Sequence, residues 1–122
     1  MQDLEAVWAE VMVENIRCVV GSVYIAPGDF HALDLLDLTV GRILQSHQHL
    51  LISMDANSRN YLWDNNCIGV SQYSNSFRMG CKLEDIINKH CLYIHNDGTP
   101  TYQSGNSVEW NFILWQSCMV SH

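Results

Sequence analysis

The chain has 122 residues, 48% of them hydrophobic, which suits a single compact domain with a real core and does not fit a second one comfortably. Thirteen acidic against six basic side chains give a net charge of −7, which opposes sequence-independent attraction to a nucleic-acid backbone. Asp3, Glu5, Glu10, Glu14 and Arg17 interrupt the amino-terminal segment, and the longest apolar stretch, Cys18 to Ala26, is far too short to span a bilayer; the expectation is no signal peptide, no membrane span and an intracellular chain, nuclear or cytoplasmic.

Leu4 to Val13 and Ile16 to Ile25 read as two strands of a hairpin turning at Glu14-Asn15, with Val7, Ala9, Val11 and Val13 alternating against Trp8, Glu10 and Met12. Pro27-Gly28-Asp29 is a turn. Leu33, Leu36, Val40 and Leu44 then recur at helical spacing with Asp29 as the candidate cap, which predicts an amphipathic helix packed on the sheet. Leu50-Leu51-Ile52 is the continuous apolar run of a strand buried on both faces, and it runs out into Ser53-Met54-Asp55-Ala56-Asn57. From Ser58 to Ser76 the chain is rich in Asn and Ser, irregular for at least part of its length, and of the kind that lines sites. Leu83, Ile86, Ile87 and Cys91, with Lys82, Glu84, Asp85 and Lys89 between them, predict a second amphipathic helix. Leu92-Tyr93-Ile94 is a short strand, Asn96-Asp97-Gly98 a turn and Thr101-Tyr102-Gln103 another short strand. Ser104-Gly105-Asn106 is a hairpin-type link into a final strand from Val108 to Trp115. This order of strands and helices is a mixed α/β layer arrangement.

Five cysteines, Cys18, Cys67, Cys81, Cys91 and Cys118, show no C-x-x-C spacing and an odd count, so free thiols are expected rather than a disulfide framework or a zinc ribbon. His47 and His49 share a face in extended geometry, but no third metal ligand stands near them, which favours a solvated pair at the turn into the strand that follows.

The chemistry concentrates at the end of that strand. Asp55 and Asn57 lie two apart, so in extended geometry they project to the same side. A carboxylate deprotonates or holds a water while a neighbouring amide hydrogen-bonds a phosphoryl oxygen, and the carboxyl end of a strand is a common place for such a site. The same two residue types also favour an Asx-type turn, and both readings stay open on this stretch alone.

Asp55-Ala56-Asn57 resembles the GD-x-N motif of the endonuclease/exonuclease/phosphatase superfamily, and its continuation to Leu62-Trp63 is similar to the endonuclease domain of non-LTR retrotransposons. The resemblance extends over almost the whole chain. Val23-Tyr24-Ile25-Ala26-Pro27 is similar to the family's V-Y-x-P-P strand end, Arg78-Met79-Gly80 through Leu83 to its R-G-x-x-L helix start, and Asn96 through Tyr102 to its N-x-G-x-P-T segment. What it implies is an α/β fold, part of a β-sandwich flanked by helices, and Mg²⁺-dependent hydrolysis of a phosphodiester in nucleic acid, with DNA as the partner. In that scheme Asp55 activates water and ligates the metal, Asn57 positions phosphate or water, and Tyr24 contacts the phosphate. Taken singly, Tyr24 is equally a strand-end aromatic, Trp63 a core filler and Gly98-Thr99-Pro100-Thr101 a turn.

Departures bear on mechanism. Met54 stands where the family has glycine, and Asn111 stands where it has the aspartate that orients a final histidine; an amide accepts a hydrogen bond from imidazole without stabilising imidazolium as a carboxylate does. Glu109 lies two residues away, on the same side if the strand is continuous. The resemblance also implies an asparagine and a metal-binding glutamate ahead of the matched part and a Ser-Asp-His beyond it, and His122 is too near Asn111 to be that histidine. Residues 1–122 are therefore expected to form one incomplete domain with an uncovered apolar sheet face, weak Mg²⁺ affinity and impaired catalysis. The alternative is a catalytically inactive remnant acting as an interaction module. A haloacid dehalogenase-like phosphohydrolase with Asp55 as nucleophile would want a second aspartate where Asn57 stands. Arg59, Arg78 and Lys82 are the local basic cluster that offsets the global charge, or else they solvate loops and a helix face.

Overall fold

The computed structural model describes residues 3–63 and 73–95 together with the backbone of 102–104, 107–109 and 111–117. Strands β1 (Glu5–Val13) and β2 (Ile16–Tyr24) form the expected hairpin. Its two turn residues, Glu14 and Asn15, have φ of 51° and 68°, the left-handed pair that a tight turn between right-twisted strands requires. Helix α1 (Phe30–Ser46) crosses back so that β3 (His49–Asp55) pairs parallel with β2, and Asp29 caps it by accepting from Ala32 N at 3.1 Å. Helix α2 (Asn75–Lys89), β4 (Tyr93–Ile94), β5 (Tyr102–Ser104), β6 (Ser107–Glu109) and β7 (Asn111–Ser117) complete the order. The sheet runs β1-β2-β3-β7-β4, with β5-β6 as a separate two-stranded sheet.

Both helices cover one face of the sheet. Ala6, Trp8, Val19, Val23, Leu50, Ile52 and Met54 point into a core filled by Ala32, Leu33, Leu36 and Val40 of α1 and Met79, Leu83, Ile86 and Ile87 of α2. Burying each of the larger side chains is worth about 1.5–3 kcal/mol. The Trp8 ring lies directly over Gly21, a close approach that a side chain at 21 would block. Polar pairs tie the rims: Lys82 to Asp34 at 2.7 Å, Lys89 and His90 to Asp37 at 3.1 and 2.6 Å, and His47 to Glu10 at 2.7 Å. Arg17 and then His47 hold the Glu10 carboxyl down at about 2 through hydrogen bonds. No helix among the described residues is long and apolar enough to cross a membrane.

Several expectations are corrected. β3 is not buried on both faces: Leu50, Ile52 and Met54 face the helices, while Leu51 is 40% exposed on the other side with Val7 at 73%. Cys91 does not continue the buried stripe of α2. It adopts φ 55° just past the helix, where Leu92 N bonds Ile87 O at 2.9 Å and Cys91 N bonds Asn88 O at 3.2 Å, and this reversal sends Leu92 into the core instead. Helix α2 starts at Asn75, inside the stretch read as polar loop, because the Ser74 hydroxyl accepts from Phe77 N. The final strand is divided: β6 pairs with β5, whereas β7 pairs with β3 and β4. The Asn96-Asp97-Gly98 turn, Cys67, Cys118 and His122 lie outside the described residues. Cys18, Cys81 and Cys91 are free thiols.

The loop after β3 is pinned to α2 rather than solvated. Arg59 N donates to Ser76 O at 2.9 Å, and the buried Asn60 donates to Glu84 Oε2 at 2.9 Å and accepts from Leu62 N at 3.0 Å. A Cβ at Gly80 would collide with the Arg59 carbonyl. Gly80→Ala is expected to cost about 2–3 kcal/mol, because the clash is with backbone that cannot rotate away, and urea unfolding measures it.

Burial pushes the Asp37 carboxyl up, but hydrogen bonds from His90 and then Lys89 outweigh it and hold it below the usual carboxylate range. A depressed folded value means that this contribution is present above the unfolded carboxylate range and lost as pH falls through the folded one. Wild type is therefore expected to exceed Asp37→Asn in thermal midpoint near neutrality, with the gap closing as pH drops below the carboxylate range.

Candidate active site at the strand ends

Tyr24 and Asp55 are the last residues of the parallel strands β2 and β3, and they are register partners. The antiparallel pairings add Glu5 opposite Tyr24 and Asn111 opposite Asp55, giving a row Glu5, Tyr24, Asp55, Asn111 across one end of the sheet. Register partners share a face, and this is the face away from the helices, in line with Val7, Ser22 and Ser53. Tyr24 is 41% exposed there and Asp55 half-buried. A cleft of about 420 Å³ on this face is lined by Glu5, Ser22, Tyr24, Ser53 and Asp55 among others, and a second of about 390 Å³ by Asp3, Glu5, Tyr24 and Asp29 among others.

Asn57 does not project beside Asp55 in extended geometry. Its φ is 46°, the left-handed region that asparagine tolerates better than most residues, and its Nδ2 donates to Ile25 O at 2.9 Å. Ile25 N in turn donates to Asp55 O at 2.9 Å, so the backbone of one residue at the β2 exit is clasped between the two ends of the Asp-x-Asn motif. The turn reading of this stretch is present in the geometry, and Ser58 Oγ adds a bond to Ala56 O at 2.8 Å. Among the described residues, the bond to Ile25 O is the one hydrogen bond of the Asn57 amide.

Trp63 is fully buried with Nε1 donating to Ser58 O at 2.9 Å, which makes it a core filler, while Leu62 is exposed. Arg78 lies over the Phe30 ring at 5.5 Å and Lys82 is paired with Asp34. His47 is held by Glu10 and by Ser46 Oγ at 2.9 Å, away from His49 as a ligand pair. Among the described residues no group of three or more His, Cys, Asp and Glu could hold a metal ion. Glu109 and Asn111 fall in different sheets, so the continuous strand that would align them is absent.

Glu5, Ser22 and Ser53 were not singled out from the sequence. The signal was available for Glu5: a two-residue turn at Glu14-Asn15 fixes the hairpin register, and that register puts Glu5 opposite Tyr24.

A mixed sheet with helices on one face and a carboxylate, a phenol and an amide at its strand ends defines an α/β fold of the endonuclease/exonuclease/phosphatase type. The family model described as endonuclease-reverse transcriptase matches residues 18–113, which include Tyr24, Asp55, Asn57 and Asn111, and the chain belongs to that family. Among solved structures it is similar to the endonuclease domain of TRAS1, a telomere-specific non-LTR retrotransposon, with a TM-score of 0.71 at 16% identity. That match covers 95% of this chain and 52% of the other, so the chain spans about half the length of the solved domain. No curated protein matches.

Two properties of Asn57, its backbone conformation and its amide bond to Ile25, separate by mutation. Asn57→Gly keeps the φ and loses the bond; Asn57→Ala loses both. Urea unfolding is expected to place Asn57→Ala below Asn57→Gly by about 1 kcal/mol, the cost of a left-handed Cβ.

Proposed function

We propose that the chain carries part of the phosphodiesterase site of a Mg²⁺-dependent endonuclease domain of retrotransposon origin, acting on DNA. The observation that supports this reading most directly is the row Glu5, Tyr24, Asp55, Asn111 across the carboxyl ends of β2 and β3, of which Tyr24, Asp55 and Asn111 fall within the matched family segment, residues 18–113. Asp55 takes a proton from, or orients, the attacking water. The Tyr24 hydroxyl donates to a phosphoryl oxygen, and the Asn57 amide, anchored by one N–H to Ile25 O, offers its second N–H to water or phosphate.

Asp55, Glu5, Tyr24, Ser22 and Ser53 bring oxygen donors to the lining of the cleft, the chemistry that suits a hard cation. Mg²⁺ is often held by one or two carboxylates, with waters and substrate phosphate completing the octahedron, so Asp55 as the principal ligand implies weak affinity in the absence of substrate. When bound, the ion neutralises charge developing on the phosphoryl oxygens. Asn111 beside Asp55 marks the impaired step: as an amide it orients an imidazole without stabilising its protonated form. The resulting activity of this chain is low.

Plasmid nicking in Mg²⁺ at neutral pH is the test. The expected outcome is no nicking by the chain as given, nicking by a chain extended with the family's flanking strands and final histidine and carrying Asn111→Asp, and loss again when Asp55→Ala is added to that chain, since members of one catalytic set fail together. Robust nicking that survives Asp55→Ala would refute the assignment. A bare outer face with Val7, Val13 and Leu51 exposed favours the second reading, an inactive interaction module. An extended Asn111→Asp chain that folds and never cleaves would decide for it.

A further inference from the structure

The loop after Asp55 carries a feature that the hydrolytic reading does not use. Tyr61 is 60% exposed although it packs edge-to-face on Phe77 of α2, with ring centroids 6.5 Å apart at 82°. An edge-to-face pair leaves ring face open to a third planar group. Tyr73, just ahead of the Ser74 cap of the same helix, is 80% exposed. Arg78, the residue that follows Phe77 in α2, holds its guanidinium over the Phe30 ring, 5.5 Å from the centroid, and a guanidinium carries N–H donors suited to an anion. The Arg59 backbone is bonded to Ser76 O, which brings the two segments together. Arg59 and Arg78 are two of only six Lys and Arg residues in a chain of net charge −7, and they flank this one aromatic patch.

Exposed rings interleaved with arginine are complementary to a single strand of nucleic acid, whose bases stack on aromatic faces while its phosphates meet guanidinium groups. A protein partner of apolar character would not require the arginines, and a duplex would not expose a base face to Tyr61. We propose that Tyr61 and Phe77, with Arg78 beside them, form a platform, on the loop that leaves Asn57 and the helix it is bonded to, that stacks an unpaired base of single-stranded DNA. The proposal rests on the nucleic-acid reading above and adds to it that the strand is engaged where it is unpaired.

The test is fluorescence anisotropy of the full chain with a labelled single-stranded DNA oligonucleotide and with the same sequence as duplex, in chelator so that cleavage plays no part. Loss of one stacked base weakens binding by about tenfold, so Tyr61→Ala is expected to lower single-strand affinity by that factor and to leave duplex affinity unchanged. Tyr61→Phe keeps a ring and should bind within about twofold of wild type. Tyr61→Leu keeps apolar bulk without a ring, should lose affinity as Tyr61→Ala does, and serves if the alanine variant fails to fold. Arg78→Ala should weaken binding and flatten its salt dependence. If wild type binds single strands and Tyr61→Ala or Tyr61→Leu binds them equally well, the platform is wrong and the nucleic-acid reading stands. Equal losses on single strand and duplex also overturn the platform. If wild type binds neither DNA, both readings fall together.

Discussion

The candidate site hangs on the backbone of a single residue, Ile25. Its N–H donates to Asp55 O and its carbonyl accepts from Asn57 Nδ2, both at 2.9 Å, while its side chain is fully buried in the core. Parallel strands have no hairpin to set their relative height, so the crossover through α1 and the ladder itself must do so. The Ile25 clasp carries the ladder past the last strand residues and satisfies both buried backbone groups at the point where the chain leaves the sheet. Tyr24 is thereby held level with Asp55, and the loop that leaves Asn57 starts out toward α2. The left-handed φ of Asn57 is the backbone cost of that change of direction.

The sheet divides its two faces between two tasks. On the inner side, alternate residues of β1, β2 and β3 meet both helices, and the ion pairs at Asp34, Asp37 and Glu10 stand at the rim where solvent still reaches them. Exposed pairs of this kind contribute little individually, so the fold rests on the core and the ion pairs mainly fix helix orientation. On the outer side, polarity changes along the strands. Glu5, Tyr24 and Asp55 lie at one end, Ser22 and Ser53 come next, and Val20 and Leu51 follow. Since a strand presents every second residue to one face, the gradient is written into β2 and β3 at spacing two, interleaved with the apolar residues that build the core.

Periodicity made the hairpin and both helices legible, because alternation over nine residues in β1 and helical spacing over seventeen in α1 admit few other packings. It was less informative where a pattern must end. The stripe Leu83, Ile86, Ile87 extrapolates to Cys91, and only the hydrogen bonds of the helix end show that Leu92 takes the inward position. Leu51 looked buried because it sits between Leu50 and Ile52, yet a run of three apolar residues in a strand cannot itself say whether the second face is covered. The division of the last strand into β6 and β7 depends on which partners compete for its backbone, and that is a tertiary choice.

At the site, Tyr24 and Asp55 were legible because strand ends and register follow from the same alternation. Asn57 was only half legible: spacing two implies a shared side in extended chain, and nothing local announces that the chain stops being extended there. Glu5 was within reach through the hairpin register but carries no motif. The loop from Ser58 to Trp63 looked like a solvated segment because its composition is polar. Its order comes from buried polar groups such as Asn60, each satisfied by α2 or by the loop itself, a pattern that composition alone does not separate from solvation.

The acidity of the chain is compatible with the DNA partner proposed above because of where its cations stand. Arg17, Lys82 and Lys89 lie within ion pairs to Glu10, Asp34 and Asp37, so they mainly offset charge already in place. Arg78 instead lies on the Phe30 ring. At physiological salt the screening length is about 8 Å, so a phosphate at this end of the sheet responds chiefly to the nearest charges rather than to the sum over the chain. The net charge still acts at longer range, where it slows approach and leaves little binding independent of structure. A chain so charged gains more from recognition that does not scale with phosphate count. Stacking of an unpaired base on exposed rings is recognition of that kind, which is why the aromatic patch and the sparse arginines are better understood together than apart.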